Sequence, residues 1–558
     1  MGLKRNTFVA DFETTTIEED CRVWAWAIYS INKDETKIGK DINSFFKQIL
    51  KLPNGSTIYF HNLKFDGEFM LYHLFNNGFK YSNKKKLEKN EFNTLIDGLG
   101  NWYSLQLKDE YEYTYRFYDS FKIIPFGVKA MSKAFDIEQL KGDIDYTLPR
   151  PIGWELTENE REYITNDVEI VGKSLMYFFT QGLNKITQAS NAFSDFKEIL
   201  GKEKFKNFYP KLDIELDKQI RSSYKGGFTY VSPQYQDIEL KDGIVLDVNS
   251  LYPSVMRDSY LPYGEPIQFD GNYKKDKLYN LYIISFRCSF ELKKDHIPTV
   301  QIKNNMFFNS RLYLENSSDM IIPLTMTNVD FDLFKLHYNI YNIEIFGGWK
   351  FKSSNMIFKD YVKKWGEVKQ QASIDNNPGL RTIAKLMLNS LYGKFGLNPQ
   401  IESKVPHLNE KGLVKYTKIQ QDDRDPVYIP VASFVTAYSR SITITAAQKN
   451  YQRFIYADTD SLHLVGLKIP SNIKIHSTKL GYWDHENTFT KGRFLRAKSY
   501  IEEIDNKTHV TCAGLPANCH VKVNFDNFRN GLSVPGKLRA KRVRGGIVLE
   551  ETYFTIKM

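Results

Sequence analysis

The sequence lacks the features that mark membrane proteins, secreted disulfide-rich proteins and zinc proteins. No uncharged apolar run reaches the roughly 20 residues that span a bilayer, and the first residues contain no long apolar stretch of the signal-peptide kind. Only four cysteines occur in 558 residues, and their spacing fits neither a zinc motif nor a disulfide framework. Internal repeats and low-complexity tracts are also absent. These absences predict a soluble protein of a reducing, intracellular compartment.

Positive charge and aromatic side chains are abundant. Lys and Arg total 76 against 66 Asp and Glu, a formal net charge of +10 that is spread along the chain, and aromatic residues make up 15 %. Such a balance suits a polyanionic partner, although alone it is weak support. Aromatic side chains serve cores first and nucleobase stacking second. The length predicts several domains.

Strand and helix patterns divide the chain into two units. Up to about residue 190, the strand patterns TFVADFE, STIYFHN and TYRFYDS precede a strong helix pattern, NEREYITNDVEIVGKSLMYFFTQGL, which predicts an α/β unit. A second unit begins at GIVLDVNSLYPSVM. Short aromatic strands fill residues 259–357, and the helix patterns MIFKDYVKKWGEVKQQA and LRTIAKLMLNSLYGKFG are separated by the breaker DNNPG. The second unit therefore contains a predicted helical hairpin.

A first set of acidic residues lies within the first 170 positions. It comprises Asp11 and Glu13 on one strand face, Asn62 and Asp66, and Tyr163 and Asp167 one helical turn apart. Acids buried together repel one another unless cations are present, and oxygen ligands favour Mg²⁺ or Mn²⁺ over zinc. Two such ions can support phosphodiester hydrolysis, with Tyr163 orienting the attacking water. The ordered set resembles the 3′–5′ proofreading exonuclease domain of DNA polymerases.

A second set of acidic residues begins with Asp247 in DVNSLYPSVM and ends with Asp458 and Asp460 in YADTDSL. The apolar runs on either side of YADTDSL predict two strands of a hairpin. Aspartates in turns are commonly solvated residues that only stabilise the turn. This alternative holds unless the rest of the chain supplies functional partners for the two aspartates. KLMLNSLYGKFG supplies Lys385, Asn389 and Tyr392, which a continuous helix would place on one face. The three motifs in this order resemble the signature of family-B DNA polymerases.

That resemblance implies a role for each residue of the second set. Asp247 and Asp458 would hold two Mg²⁺ ions, with the carbonyl of Val248 completing the shell; Asp460 is either a ligand or a supporting acid, and the sequence leaves this open. Lys385 would meet the triphosphate as a point charge, together with Lys369 and Arg381, beside Asn389. Tyr392 would face the nascent base pair, and Tyr252 would exclude a 2′-hydroxyl, although core packing is the alternative for both rings.

Further motifs, including GDIDYTLPRPIG, LPYGEPI, NVDFDL and KLGYW, resemble the protein-primed phage subgroup of family B over nearly the whole chain. The implied fold is multidomain α/β: an RNase H-like 3′–5′ exonuclease domain and a right-hand polymerase domain of palm, fingers and thumb with two subgroup insertions. The implied boundaries are 1–188 for the exonuclease, 189–258 and 427–512 for the palm, 259–357 for insertion one, 358–396 for the fingers, 397–426 for insertion two, and 513–558 for the thumb.

The subgroup resemblance also implies DNA contacts and partners. Lys141 and Asp143 would complete the exonuclease site, Asp143 as a metal ligand, and the DNA-contacting residues would be His61, Asn62, Phe65, Phe69, Ser120, Tyr146, Tyr224, Gly226, Gly227, Lys498 and Tyr500. The implied partners are primer-template and single-stranded DNA, dNTPs and a terminal protein that supplies the priming hydroxyl. The protein would be a monomer or a heterodimer with the terminal protein in the host cytoplasm, with two Mg²⁺ per active site that Mn²⁺ can replace.

The segment after Gly396 is too long for an ordinary connection between fingers and palm. ESKVPHL and GLVKYTKI predict a hairpin around NEKG, whose lysines at 404, 411, 415 and 418 could face phosphates. A solvated surface hairpin is the alternative. The resemblance implies instead that insertion one docks the terminal protein and DNA, and that insertion two surrounds the product and separates strands.

Two other functions remain open from the sequence. One keeps the fold as a DNA-binding protein or a purely degradative nuclease, which would require the loss of Asp247 or Asp458, and both are present. The other treats the acidic sets as calcium-type structural sites in a phage protein.

Overall fold

The computed structural model describes residues 6–138, 142–301, 313–318 and 320–556. Within these ranges, no helix combines the length and apolar character that crossing a membrane requires.

The N-terminal unit is built on an eight-stranded mixed sheet with the strand order β3-β2-β1-β4-β8-β7-β6-β5. The predicted strands TFVADFE, STIYFHN and TYRFYDS are confirmed as β1, β4 and β8. The predicted long helix is confirmed as α4, which begins with a capping box between Thr157 and Glu160. The elements are β1 Thr7–Thr14, β2 Val23–Ser30, β3 Glu35–Gly39, α1 Ile42–Ile49, β4 Thr57–Phe60, α2 Leu63–Asn76, β5 Lys80–Tyr81, β6 Glu91–Ile96, β7 Trp102–Lys108, β8 Thr114–Asp119, α3 Val128–Ala134 and α4 Glu158–Thr180.

The next segment leads into the second unit. Two of its strands belong to a seven-stranded sheet, and the first of its helices packs against the helical hairpin described below. Its elements are α5 Gln188–Leu200, α6 Lys202–Phe208, α7 Ile214–Arg221, β9 Thr229–Val231, β10 Glu239–Val248 and α8 Leu251–Asp258.

A four-stranded sheet, a helical hairpin and a two-stranded hairpin follow. The sheet has the strand order β11-β14-β12-β13 and holds the predicted aromatic strands. The predicted helices on either side of DNNPG and the predicted strands around NEKG are confirmed as α10, α11, β15 and β16. The elements are β11 Leu261–Asp270, β12 Leu281–Leu292, β13 Ile322–Thr327, α9 Asn328–His337, β14 Tyr338–Ser354, α10 Lys359–Ile374, α11 Pro378–Ser390, α12 Tyr392–Phe395, β15 Glu402–Leu408 and β16 Val414–Gln420.

The remaining strands complete the seven-stranded sheet, whose order is β21-β20-β19-β10-β18-β17-β9, and form a C-terminal hairpin. The hairpin predicted at YADTDSL is confirmed as β17 and β18. The elements are α13 Ile429–Lys449, β17 Phe454–Asp458, β18 Ser461–Val465, β19 Trp483–Arg496, β20 Ser499–Ile504, β21 Lys507–Cys512, α14 Ala517–His520, β22 Ser533–Val543 and β23 Gly546–Thr555.

The largest hydrophobic core crosses the unit boundaries. Its buried side chains include Phe178 of α4, Phe196 of α5, Phe358 before α10 and Phe434 of α13. On the other face of the N-terminal sheet, Val414 of β16 and residues of the C-terminal hairpin belong to the same buried cluster as the sheet residues. The acidic sets are thus held on a continuous packed frame.

Candidate catalytic sites

The first acidic set converges where β1 meets α4. Carboxylate oxygens of Asp11, Glu13 and Asp167 lie within 4.8 Å of one another, which confirms that the strand pair and the helix acid face a common point. Asp66 on α2 joins them: burial and the neighbouring charges of Asp11 and Glu13 raise the pKa of its carboxyl well above the usual range. Four acids without nitrogen or sulfur ligands form a donor set suited to Mg²⁺ or Mn²⁺.

Two tyrosines border this carboxylate group. The hydroxyl of Tyr146 donates to Oε2 of Glu13 at 2.9 Å and lies 3.2 Å from the hydroxyl of Tyr163. Tyr146 is 42 % exposed, so its hydroxyl contacts the acids while part of its ring lies at the protein surface. The family resemblance linked Tyr146 only to single-stranded DNA, and 133 residues separate it from Glu13 in the sequence. The structure brings it against the acids directly.

A buried ion pair fixes the loop that carries Tyr146. Arg150 donates from Nε to Oε1 of Glu160 at 2.8 Å, and its Nη2 donates to the carbonyl of Asp145 at 2.9 Å. Asp143 of this loop is exposed and is not a member of the carboxylate group found among the described residues, so the structure does not place it as a ligand. Lys141 lies outside the described residues.

The side chains predicted to hold a single strand fall into two groups. His61 is half-buried and Asn62 is exposed at the start of α2, and the backbone amide of Asn62 donates to Asp119 at 3.0 Å. Ser120 corrects the prediction that it contacts DNA: it is fully buried, and its Oγ lies 3.0 Å from Nδ1 of His61, which it supports. The rings of Phe65 and Phe69 lie 5.7 Å apart.

Phe69 corrects the prediction that it contacts bases. Its side chain is only 1 % exposed, because Gly546 of the C-terminal hairpin packs against its ring. Its ring can support Phe65, but it offers no face for stacking.

The second acidic set lies at the end of three neighbouring strands. Asp247 on β10 and Asp458 on β17 both pair with Ser461 of β18, one from each side. Adjacent strands lie about 4.8 Å apart, so the two Cα atoms are about 10 Å apart. Asp460 lies in the intervening turn, where Thr459 has a φ of 63° and the carbonyl of Asp460 accepts from the amide of Val248 at 2.9 Å.

The second set is strongly acidic. Burial, together with Asp460 and Glu486, raises the pKa of Asp247 to about 7, and burial also raises the pKa of Asp460. Asp484, directly opposite Asp247 on β19, adds to this field. Asp484 and Glu486 were not among the residues predicted from the sequence; their D-x-E spacing in YWDHEN was the available signal. Oxygen donors at this density again fit divalent cations.

A lysine meets the opposite side of the set. Nζ of Lys498 forms a 3.0 Å ion pair with Asp458, and its backbone amide donates to the hydroxyl of Tyr456 at 3.0 Å. Thr229 also donates to Asp458, at 3.0 Å. Tyr500 stacks on Phe494 with a centroid separation of 5.2 Å. The ammonium of Lys498 therefore neutralises the carboxylate of Asp458.

A cationic helix face looks toward these acids. Arg381, Lys385 and Asn389 recur every four residues on the exposed face of α11. Burial and the charges of Arg381 and Lys385 lower the pKa of Lys369 on α10, and Lys385 acts electrostatically on Asp247. Tyr392 departs from the predicted single helix, because α11 ends at Ser390 and Tyr392 begins α12.

The segment Tyr224–Gly227 lies against the turn between β17 and β18. A Cβ on Gly227 would lie 2.5 Å from Oγ1 of Thr459, so only glycine fits there, whereas Gly226 faces open space. Arg440 donates to the carbonyl of Gly226 at 2.7 Å. The ring of Tyr224 lies against Gly396. Burial, together with the neighbouring Tyr392, raises the pKa of the Tyr224 hydroxyl. The sequence explained these glycines by approach to a phosphate; for Gly227 the close neighbour is Thr459.

The hairpin lysines do not share one face. Lys404 pairs with Lys418, and both lie on the side of the hairpin that carries Val414 and Tyr416, whereas Lys415 lies on the other side. Lys411 lies in the turn. Val414 and Tyr416 pack on the N-terminal sheet, so the alternative of a freely solvated hairpin is wrong.

Comparison with known proteins gives the same assignment from three directions. The family "DNA polymerase type B, organellar and viral" matches residues 50–152 and 147–478. The DNA polymerase of Bacillus phage M2 is 44 % identical over 100 % of both chains. The structure of phi29 DNA polymerase with primer-template DNA and incoming nucleotides superposes with a TM-score of 0.94 and 43 % identity, covering 99 % of this chain and 100 % of the other. The structure of phi29 DNA polymerase with single-stranded DNA gives 0.93 and 42 %, with the same coverage.

Proposed function

Because this chain belongs to the organellar and viral type B DNA polymerases and is a phage DNA polymerase of the phi29 type, we propose that it replicates a phage genome from a protein primer. It would elongate processively, displace the non-template strand and correct errors with a separate 3′–5′ exonuclease. The observation that carries the synthetic part is the position of Asp247 and Asp458 on either side of Ser461, opposite the cationic face of α11.

For synthesis, two divalent ions would supply charge neutralisation between the primer oxygen and the triphosphate. Asp247 and Asp458 would hold them with the carbonyl of Val248, and Asp460 would supplement their charge. Mg²⁺ is the expected ion, and Mn²⁺ has the same ligand preference.

Protein side chains position the other groups. Lys385, Lys369 and Arg381 would bind the triphosphate, and Asn389 continues their exposed face. Lys498 and Tyr500 would steady the primer end; the ammonium of Lys498 would turn to the primer phosphate once Asp458 binds an ion.

For editing, the carboxylates of Asp11, Glu13, Asp66 and Asp167 would hold a second pair of ions. The hydroxyl of Tyr163 would orient the attacking water, and Tyr146 would align Glu13 and contact the terminal nucleotide. His61, Asn62 and Phe65 would guide the single strand to this point, and Ser120, which is fully buried, would hold the His61 ring in place. Tyr224, Gly226 and Gly227 would contact the strand as it passes from one site to the other; Gly227 lies against Thr459 in the turn between Asp458 and Asp460.

The architecture would follow the right-hand plan. The exonuclease domain of RNase H-like form would occupy residues 1–188, the palm 189–258 and 427–512, the fingers 358–396, and the thumb 513–558. The sheet β11–β14 lies within insertion one (259–357), the proposed docking region for terminal protein and DNA. The hairpin β15–β16 lies within insertion two (397–426), the proposed strand-separating element. The enzyme would act in the host cytoplasm, as a monomer or with its terminal protein.

One incubation tests the central claim. The protein is mixed with the phage terminal protein, Mg²⁺ and a single labelled dNTP, in parallel with a primer-template. We expect label on the terminal protein and extension of the primer. A degradative nuclease would only shorten the primer, and a calcium-type structural protein would do neither; either result would overturn the proposal.

A further inference from the structure

The guanidinium of Arg150 binds the backbone on both sides of Tyr146. Its Nη2 donates to the carbonyl of Asp145 at 2.9 Å, and its Nη1 donates to the carbonyl of Leu148 at 3.2 Å. Asp145 comes directly before Tyr146, and Leu148 follows two residues after it. A single side chain therefore fixes the short segment that carries the Tyr146 ring.

Glu160 anchors this guanidinium to α4. Nε of Arg150 donates to Oε1 of Glu160 at 2.8 Å, and each of the two residues is only 5 % exposed. Oε2 of Glu160 accepts from the amide of Thr157 at 2.9 Å and from Nε1 of Trp154 at 3.0 Å. These donors hold the Glu160 carboxylate in one orientation, so the guanidinium that it binds is fixed as well.

Glu160 lies on the helix face that contributes to the first acidic set. Tyr163 and Asp167 follow it after three and seven residues, which is the spacing of one face of a helix, and all three residues are buried. Attachment to Glu160 therefore sets the position of the Tyr146 segment relative to Tyr163 and Asp167. In this position the hydroxyl of Tyr146 reaches both Tyr163 and Glu13.

The strand next to the acids also supports Arg150. The guanidinium carbon lies 4.3 Å from the ring centroid of Trp24 on β2, a cation–π contact, and Arg22 donates to the backbone carbonyl of Arg150. β2 pairs with β1, the strand that carries the first two acids of the set. Arg150 thus connects β2, α4 and the Tyr146 segment.

The Tyr146 segment depends on such bonds because it has no regular structure of its own. Residues 142–149 form neither a helix nor a strand, so no ladder of backbone hydrogen bonds fixes their positions. Asp145 accepts from the amide and the hydroxyl of Thr147, which stabilises the turn locally but does not attach it to the acids. Arg150 supplies the attachment to α4 and β2.

We propose that Arg150 is a positioning residue of the editing site, and that it sets the rate of nucleotide removal through the hydroxyl of Tyr146. The guanidinium is buried and its donors bind protein groups, so it acts on the reaction by presenting that hydroxyl to Glu13 and Tyr163. Without Arg150 a single strand would still bind on the surface beside α2, but its terminal phosphodiester would be poorly aligned with the acids. The rate constant kcat should therefore change while KM stays nearly constant. This inference rests on the proposed exonuclease function.

A double-mutant cycle tests the route through Tyr146. Arg150→Lys keeps a positive charge beside Glu160, but its ammonium cannot reproduce the planar fork that binds two carbonyls and a carboxylate. Tyr146→Phe removes only the hydroxyl. Arg161→Lys is the matched control, since it makes the same change one residue after Glu160 on α4. Each protein, and the Arg150→Lys, Tyr146→Phe double variant, digests single-stranded DNA over a range of concentrations and adds one nucleotide to a primer. If Arg150→Lys does not fold, Glu160→Gln, which removes the ion pair, replaces it in the cycle.

We expect Arg150→Lys to lower kcat for digestion at least about tenfold and to keep KM within about threefold of wild type, because small misalignments of reacting groups are costly. Addition of one nucleotide should stay within about twofold of wild type, and this activity also shows that the variant is folded. The double variant should be no more than about twofold slower than Tyr146→Phe, because both changes act through one hydroxyl. Unchanged kcat in Arg150→Lys, an equal loss in Arg161→Lys, or losses that multiply in the double variant would overturn the positioning role.

Failure of the exonuclease proposal would give a different result. Wild-type protein that digests no single-stranded DNA contradicts the proposed editing function, whereas full digestion by Arg150→Lys contradicts only the positioning role. Hydrogen exchange of residues 142–149 tests the geometry in either case: it should be faster in Arg150→Lys than in wild type and in Arg161→Lys. Equal exchange in all three proteins contradicts the inference.

Discussion

The rings of Tyr252 and Tyr392 stack with their centroids 4.1 Å apart and their planes 26° from parallel. Tyr252 comes from α8, which follows the strand of Asp247, and Tyr392 begins α12 after the cationic face of α11. Both rings are only partly buried, at the margin of the core. The contact joins the acid-bearing sheet to the helices that would bind the triphosphate.

Tyr252→Val should admit ribonucleotides, because the proposed barrier to a 2′-hydroxyl is the bulk of the ring. Tyr252→Phe is the matched control: it keeps the ring and should keep sugar discrimination. Competitive single-nucleotide incorporation measures discrimination as kcat/KM for the dNTP divided by kcat/KM for the rNTP. This ratio should fall at least about tenfold in the Val variant alone. An unchanged ratio in Tyr252→Val would make the ring a packing element.

Replacing the acids of one set should leave the other activity in place, because the two sets occupy different sheets. Asp11→Ala with Glu13→Ala should lower digestion of single-stranded DNA by on the order of 100-fold or more and spare incorporation. Asp458→Ala should abolish primer extension and protein-primed initiation and spare digestion. Both assays are run on each variant.

Parallel loss of both activities in either variant would contradict two separate sites. Initiation that persists at the wild-type rate in Asp458→Ala, while extension is lost, would contradict a shared synthetic site for DNA and protein primers.

The raised pKa of Asp247 predicts how stability depends on pH. Its folded-state pKa is about 7 and its ordinary value is 3.8, so between these values the folded protein keeps a proton that the unfolded chain has lost. Stability at this site therefore falls as the pH rises from about 4 to 7. Mg²⁺ should neutralise the carboxylate of Asp247 once it has lost its proton, and should therefore raise Tm more at pH 8 than at pH 5.5.

Asp247→Asn should reduce both the pH dependence of Tm and the Mg²⁺ effect. Asp66 contributes in the same direction at the first site, so some of each effect should remain. Thermal unfolding at the two pH values, with and without Mg²⁺, measures this. A variant with the full wild-type dependence would show that Asp247 is not the responsible carboxyl.

The sequence predicted the local structure around the acids because each motif carries its own pattern. Apolar flanks identified β17 and β18, and strand alternation put Asp11 and Glu13 on one face. Helical periodicity likewise predicted that Lys385 and Asn389, four residues apart, share a face of α11. The break before Tyr392 was missed, since nothing in LNSLYGKFG interrupts the helical pattern.

Long-range packing lay beyond the sequence patterns. Phe69 was assigned to DNA by its position in the family resemblance, but Gly546, 477 positions later, covers its ring. Tyr146 reaches Glu13 only because Arg150 and Glu160 fold its loop back onto α4. No local periodicity reports such contacts; they depend on how separate units meet.

The β15–β16 hairpin provides the last prediction. Glu402 pairs with Gln420, so the ends of the hairpin lie about 5 Å apart, and residues 403–419 can be replaced by Gly-Gly with little change in the flanking chain. The shortened protein should add a single nucleotide normally, because none of the acids or cationic side chains of the synthetic site is removed. It should stop at a downstream duplex and give single-encounter products at least about tenfold shorter, since the β15–β16 hairpin would no longer separate strands or support the C-terminal hairpin. Its thermal stability should also fall, because Val414 and Tyr416 leave the buried cluster on the N-terminal sheet.

Lys415→Ser in the intact hairpin is the control: it removes the lysine on the other face without disturbing that packing, and should retain strand displacement. Extension of a gapped template, compared with an open one, measures the effect, and long displaced products from the shortened protein would show that the hairpin has no part in strand separation.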